Sequence, residues 1–414
     1  MFKLPLDGHR VLDLTMAWAG PFATRLLADM GAEVIKIEAV NNWDLLRSYT
    51  GQPPTVERVW DKSPYFNHYN RNKYGCVLDL AGERGRELFL RLVEVSDVVI
   101  ENFRSEVMDN LGLSWDTLRA RNPDLIYVAM PGHGKSGPEK DFVAYGTNVE
   151  QLAGLAHLTG YRDGPPQKTG ISYGDPMAGI AAAGAIALAL WDRRRTGAGQ
   201  YIEVAQRENL IGAIGEFIVG YAMNGREPER RGNRHSSMAP HGCYPCAGDD
   251  QWLTIACEDD RQFAGLCSVI GKPELARDER FADVVSRHGN QDALDSVINE
   301  WTRGQDKAAA ADALQAAGVP ASPVLTIPDV FADEHLRARG FFEPVSHAVA
   351  GEWEMEGTPW RMSETPGHIR IPPPAFGEHN DYVFRELLGL SAEEIEALGA
   401  DGVTGDTPNW AVHE

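Results

Sequence analysis

The sequence predicts an α/β protein with a large domain on a mainly parallel β-sheet, a smaller α+β domain and a C-terminal segment. Three observations predict this. Short β-rich runs alternate with helical patterns as far as residue 130, a polar stretch rich in chain breakers follows residue 224, and a second one with three prolines spans 318–330.

The elements follow in order. "RVLDLT" (10–15) and "EVIKIE" (33–38) read as strands, and "GPFATRLLADMG" (20–31) reads as the helix between them. "CVLDL" (76–80), a helix over 84–95, "DVVIENF" (97–103) and "LIYVAM" (125–130) continue the alternation. Apolar strands separated by helices imply βαβ units and a parallel sheet covered on both faces. Ligands of such sheets sit beyond the carboxyl ends of the strands. That places "TMAWAGP" (15–21), "ENFR" (101–104) and "PGHGKSG" (131–137) along one rim. "NGREPERRGNRHSSMAPHG" (224–242) reads as a linker or mobile loop. "CYPCAGDDQWLTIAC" (243–257) reads as a hairpin turned by Gly248, Asp249 and Asp250, with helical patterns to Gly318. The expected domains are 1–225, 226–328, and a segment 329–414 that returns to the first.

Composition narrows the function. A chain of 414 residues, 43% hydrophobic, buries a sizeable core. A formal charge of −21 argues against nucleic-acid and anionic-membrane partners, which select basic surfaces. The start has no apolar core of signal-peptide length. The longest apolar run, Met177–Trp191, is short for a bilayer span, so a helix buried in protein is expected. Five cysteines, an odd number, suggest reduced thiols and a cytoplasmic home.

Several motifs could carry chemistry. "GHGKSG" (132–137) fits G-x-G-x-x-G, but Pro138 follows at once and no helix opens. A surface loop, or a loop whose N–H groups approach an anion, explains it better than a dinucleotide site. "CYPC" (243–246) has no second pair at metal spacing, which favours structural thiols over metal or redox chemistry. "ENFR" places Asn102 and Arg104 at a strand end, where they suit a phosphate or thioester or form a solvated turn. "NRNKYG" (70–75) sets Arg71 and Lys73 ahead of a strand as a basic cluster on the same rim. Asp175 in "GDPMAG" (174–179) has two readings on one geometry. It could be the N-cap of a helix opened by Pro176. It could also be a carboxylate kept ionised by the helix dipole and able to attack a thioester.

The order of these motifs resembles class III CoA-transferases, the family of formyl-CoA transferase and carnitine CoA-transferase. "VLDLTMAWAGPFATRLLADMGAEVIKIE", "NRNKYGCVLDL", "DVVIENFRSEVMDNLGL", "PDLIYVAMPGHGKSGP", "RRRTGAGQYIEVA" and "FGEHNDYVFRELLGLSAEEIEAL" carry the resemblance almost end to end. It implies a Rossmann-like large domain and an interlocked dimer, either a homodimer or a heterodimer with a paralogous subunit. Coenzyme A and acyl-CoA enter as substrates, with no metal. Asp175 is then the nucleophile, passing through an aspartyl anhydride and an aspartyl-CoA thioester. CoA contacts are implied at Ala17, Trp18, Asn72 and Lys73, and at Asn102, Phe103, Arg104, Lys135 and Tyr145. Ala39 stands where formyl-CoA transferases carry a basic residue, which leaves Arg71 and Arg104 as partners for the CoA phosphates. Trp18 replaces a family Gln, and "SSMAPHG" (236–242) replaces a run of glycines. Both argue against oxalate or formyl chemistry and for a bulkier acid, with succinyl-CoA as donor.

Two other readings belong to the same superfamily. An α-methylacyl-CoA racemase pairs the Asp with a His, where this chain has Tyr145; a phenol is a poor partner for two-base proton transfer. The chain could also be one subunit of a heteromeric transferase.

Overall fold

A computed structural model describes residues 4–410. The chain forms two compact units. One comprises the chain through Ala156, Lys168–Gly225, and the chain from Ala338; the other comprises His157–Gln167 and Arg226–Arg337.

The first unit is built on six parallel strands: β1 (Arg10–Asp13), β2 (Glu33–Glu38), β3 (Lys73–Val77), β4 (Val98–Glu101), β5 (Ile126–Ala129) and β6 (Tyr201–Glu203). Their order is β3-β2-β1-β4-β5-β6. Alternate residues feed two cores. Val11, Val34, Val98, Ile126 and Val128 face the helices Ala19–Asp29 and Gly174–Thr196. Leu12, Ile35, Val99 and Tyr127 face the helix Glu83–Glu94 and, from the C-terminal segment, Phe384 and Leu398. Burial on both faces explains why these strands read as continuous apolar runs. A hairpin of β10 (Phe342–His347) and β11 (Gly351–Glu356) belongs to the same unit.

The second unit carries an antiparallel sheet of β7 (His241–Pro245), β8 (Trp252–Ala256) and β9 (Ala321–Pro323) against a helical core. It extends beyond the expected limit of 328, because Lys307 pairs with Asp329 at 2.8 Å. It also takes in His157–Gln167, pinned where Gly232 N donates to Gly160 O and Arg230 donates to the carbonyls of His157 and Gly164. Cys246, Cys257 and Cys267 lie buried in this unit; Cys243 is half-buried.

The long helix departs from expectation. By length and hydropathy Gly174–Thr196 could cross a membrane, whereas the sequence predicts a helix buried in protein. One stripe, Ala178, Gly179, Ala182, Ile186 and Ala189, is buried. Gly179 brings the helices together, since a Cβ there would fall 2.7 Å from Ala19 O. The opposite face is exposed, with Leu188 at 69% and Trp191 at 60%. The neighbouring helix Gly215–Asn224 has no buried residue at all.

Candidate active site

The strand order reverses at β1, which pairs with β2 on one side and β4 on the other. A crevice opens at such a point because the loops after the two central strands leave in opposite directions. Here the two loops are stitched together by one side chain. Asn102, after β4, accepts from Met16 N at 2.8 Å and donates to Met16 O at 2.8 Å. The next residue, Ala17, has φ 63°, a left-handed conformation that a residue with a Cβ rarely adopts. Asp44 holds it there, accepting from Ala17 N at 3.1 Å. Asp44 is itself fixed by buried Lys36 at 2.9 Å, and Lys36 also donates to Thr15 O.

This bend delivers Trp18 into an aromatic wall. Its ring lies 5.5 Å from that of Tyr69 and 6.1 Å from that of Tyr65. Both tyrosines come from the helix Pro64–Asn70, which starts on a Ser63 cap with proline in its first turn. Residues four apart share a helix face, so the two rings lie side by side along it at 5.5 Å, tilted by 50°. Burial, and next the neighbouring tyrosine, pushes the Tyr69 phenol well above its usual range, and the Asp175 charge adds to this. The Tyr65 phenol rises through burial first and the Asp175 charge second.

Asp175 is not a helix cap. The helix begins one residue earlier, at Gly174 after Tyr173, and no side chain caps it. Instead the half-buried carboxylate rests against the first residue of another helix, Gly146–Ala153. A Cβ at Gly146 would fall 1.8 Å from Asp175 Oδ2, so only glycine leaves room for the carboxylate. Nor is this group held ionised as the helix-dipole argument expects. Burial first and the nearby Glu150 carboxylate second raise its pKa to about 7. Such a carboxyl group of raised basicity, with no ion pair among the described residues, is a candidate for chemistry.

The other expected contact residues divide into two groups. Ala17, Trp18, Asn102, Phe103, Arg104 and Lys135 all follow strands β1, β4 and β5 on the carboxyl rim. Arg104 is exposed and lies 3.4 Å from Glu106. Phe103 packs against the core. Lys135 donates to Ser105 O and lies 3.4 Å from buried Glu101. Tyr145 precedes Gly146 and is 66% exposed. Arg71, Asn72 and Lys73 are elsewhere. β3 starts at Lys73, three residues earlier than expected, and the basic cluster lies at the amino end of the strand, away from the carboxyl rim. Arg71 is buried against Asp29 at 2.8 Å and also reaches Glu356. Asn72 donates to Asp29 at 2.7 Å and accepts from the backbone of Arg370 and Ile371. Lys73 is buried against Asp13 at 3.0 Å. These three side chains are already committed inside the protein, which corrects their placement on the ligand rim.

Residues not picked from the sequence complete the site: Tyr65 and Tyr69 on the wall, Asp44 behind Ala17, and Gly146 and Glu150 behind Asp175. The tyrosine pair left a legible signal, aromatics four apart just after a Ser-Pro helix start. The others are ordinary residues that matter only through contacts distant in sequence.

Comparison with known proteins decides the family. The model of CoA-transferase family III matches residues 6–380. The chain belongs to CoA-transferase family III. This CoA-transferase is 37% identical to succinyl-CoA–D-citramalate CoA-transferase of Chloroflexus aurantiacus, over 96% of this chain and 98% of that one. It is 39% identical to acetyl-CoA:oxalate CoA-transferase of Acetobacter aceti, over 94% and 98%. A CAIB/BAIF family protein from Brucella suis superposes with a TM-score of 0.85 at 35% identity, over 93% of this chain and all of that one. The D175A mutant of Rv3272 from Mycobacterium tuberculosis superposes at 0.77 with 29% identity, over 92% and 98%. The protein is therefore an enzyme that moves CoA between an acyl-CoA and a carboxylic acid.

Proposed function

We propose that this CoA-transferase acts through a covalent aspartyl intermediate on Asp175, with a dicarboxylic acyl-CoA such as succinyl-CoA as donor. A carboxylate oxygen of Asp175 adds to the thioester carbonyl. The C–S bond breaks, CoA leaves as thiolate, and a mixed anhydride remains. The thiolate then adds to the aspartyl carbonyl, the anhydride C–O bond breaks, and the donor acid leaves as its carboxylate. The aspartyl-CoA thioester so formed is attacked by the acceptor carboxylate, and the same two steps in reverse release the new acyl-CoA. Each step exchanges one activated acyl bond for another, so a carboxylate is the nucleophile this chemistry requires.

The observation that carries this reading is the unpaired, raised-pKa carboxylate of Asp175 against Gly146, on the element next to the aromatic wall. The wall of Trp18, Tyr65 and Tyr69 favours an acid with apolar bulk, and it gives a developing anhydride an apolar surface that limits hydrolysis. Succinate-related acids fit the names of the relatives from Chloroflexus aurantiacus and Agrobacterium fabrum, the latter a succinate–glutarate CoA-transferase 36% identical to this chain. CoA lies along the carboxyl rim, with Asn102 and Trp18 bracketing it and Arg104 and Lys135 near its phosphates.

A second copy of the chain covers the exposed faces of Gly174–Thr196 and Gly215–Asn224, as an interlocked homodimer. A relative named as the beta subunit of succinyl-CoA–L-malate CoA-transferase, 33% identical, raises the heteromeric alternative. One experiment addresses donor, acceptor and partner together: purified protein, without additions, is incubated with succinyl-CoA and a panel of free acids, and new acyl-CoA esters are identified by mass spectrometry. Transfer by the single chain supports the reading. Undiminished transfer by Asp175→Ala overturns it.

A further inference from the structure

Glu150 is a fully buried carboxylate with no cation paired to it among the described residues. It accepts from Thr169 Oγ1 at 2.7 Å, from Thr169 N at 3.3 Å and from Tyr173 N at 2.5 Å. Its three bonds therefore grip the segment that leads into Asp175. The same side chain is placed to act on Asp175 through space. Asp175 Oδ2 lies against Gly146, and Glu150 stands four residues further along that helix. Residues four apart on a helix lie on one face, about 5–6 Å between Cβ atoms. Two carboxylates thus share a poorly hydrated corner.

We infer that Glu150 is a positioning residue that drives acyl groups onto Asp175 by making the free carboxylate unfavourable. The inference rests on the proposed role of Asp175. In the unloaded enzyme a negative charge on either side chain disfavours a negative charge on the other. In the anhydride and in the aspartyl-CoA thioester, residue 175 is neutral, so acylation relieves the repulsion. The negative charge leaves the corner with the departing thiolate or donor carboxylate, and the balance of bonds in each step is unchanged. The equilibrium between free acyl-CoA and loaded enzyme shifts toward loading by the size of that repulsion. The direction of the Asp175 shift, with Glu150 as its second cause, agrees. The other titratable groups facing Asp175 are Tyr65 and Tyr69, both neutral because burial holds their phenols above the usual range.

The test is the occupancy of the covalent state. Wild type and the variants Glu150→Gln, Glu150→Leu and Glu150→Asp are mixed with excess succinyl-CoA, quenched in acid and weighed as intact proteins. The expected result is a CoA-sized adduct on wild type and on Glu150→Asp, which keeps the charge. Both neutral variants should show a fall in the loading constant of about tenfold for each pKa unit of repulsion removed. Two neutral variants are used so that one folded protein suffices. Equal loading in wild type and a folded neutral variant overturns the inference while leaving Asp175 as nucleophile. No adduct on wild type overturns the nucleophile reading itself. A second measurement needs no donor: Asp175→Asn should raise the melting temperature at pH 8 in the wild-type background, and the gain should be smaller in Glu150→Gln, where only the part due to burial remains. The same gain in both backgrounds would show that the two carboxylates are not coupled.

Discussion

Two buried clusters of charge lie in the first unit, and they are built in opposite ways. Beneath the strand ends, Asp13 faces Lys73 at 3.0 Å, Lys36 faces Asp44 at 2.9 Å, and Arg47 bridges Glu38 and Asp61 at 2.8 Å each. Every charge there has an opposite partner. Although burial opposes ionisation, these partners hold the Asp13 and Glu38 carboxyls below their usual range. Behind Asp175, Glu150 stands with no cation paired to either among the described residues, and burial first and Glu150 second push the Asp175 carboxyl up to about 7. The first cluster is fully satisfied, so it fixes the backbone of the β1 loop and spends nothing on a ligand. The second holds like charges together, and in the proposed mechanism a covalent bond to an acyl group would neutralise one of them. Charge that is paired builds the crevice; charge without an opposite partner is what the proposed mechanism puts to work in it.

Mutations should break this contrast unequally. The largest effect belongs to Asp175→Ala, with CoA transfer falling by at least about 10³-fold, the scale for losing a covalent nucleophile, while the circular dichroism spectrum stays unchanged. Next is the paired cluster. Lys73→Met strands the buried Asp13 charge and should lower unfolding stability by about 3–5 kcal/mol in a denaturant titration, with KM for acyl-CoA unchanged in the protein that remains folded. A large rise in KM with little loss of stability would return Lys73 to the CoA site.

Gly146→Ala sharpens the comparison from the other side. The added methyl crowds the Asp175 carboxylate and Ser172 Cβ without touching any ion pair, so kcat should fall about 10–100-fold, with a smaller loss of stability than Lys73→Met. The smallest effect is on stability against pH. Asp175 binds its proton more tightly when folded than when unfolded, so its contribution favours the folded state below pH 4 and is lost as pH rises through about 7. Asp175→Asn should therefore be more stable than wild type at pH 8, by on the order of 1–2 kcal/mol after solvent screening, and the gap should close by pH 4. Paired denaturation curves at the two pH values measure it.

Much of this was readable from the chain. Strand runs such as "EVIKIE" and "DVVIENF" declare a parallel sheet because both of their faces are buried, and Asn102 and Trp18 were placed on the rim by following such strands to their ends. Asp175 was legible as a charged residue before a small-residue helix, but its environment was not. Glu150 lies 25 positions away from it and looks like any helical surface glutamate. Arg71 and Lys73 were misplaced because residues that precede a strand lie at its amino end, away from the carboxyl rim, and here they turn into the interior. Their partners, Asp29 and Asp13, are distant in sequence and leave no local pattern. The exposed face of Gly174–Thr196 escaped for a related reason: alanine and glycine all round a helix do not say which stripe is covered.

The most direct test of the central claim is to locate the acyl carrier. The enzyme is incubated with succinyl-CoA, trapped with hydroxylamine, digested and sequenced by mass spectrometry. The account expects a hydroxamate at residue 175 that depends on both acyl-CoA and an intact Asp175. A hydroxamate on another side chain, or transfer that proceeds with Asp175 unmodified, would contradict it.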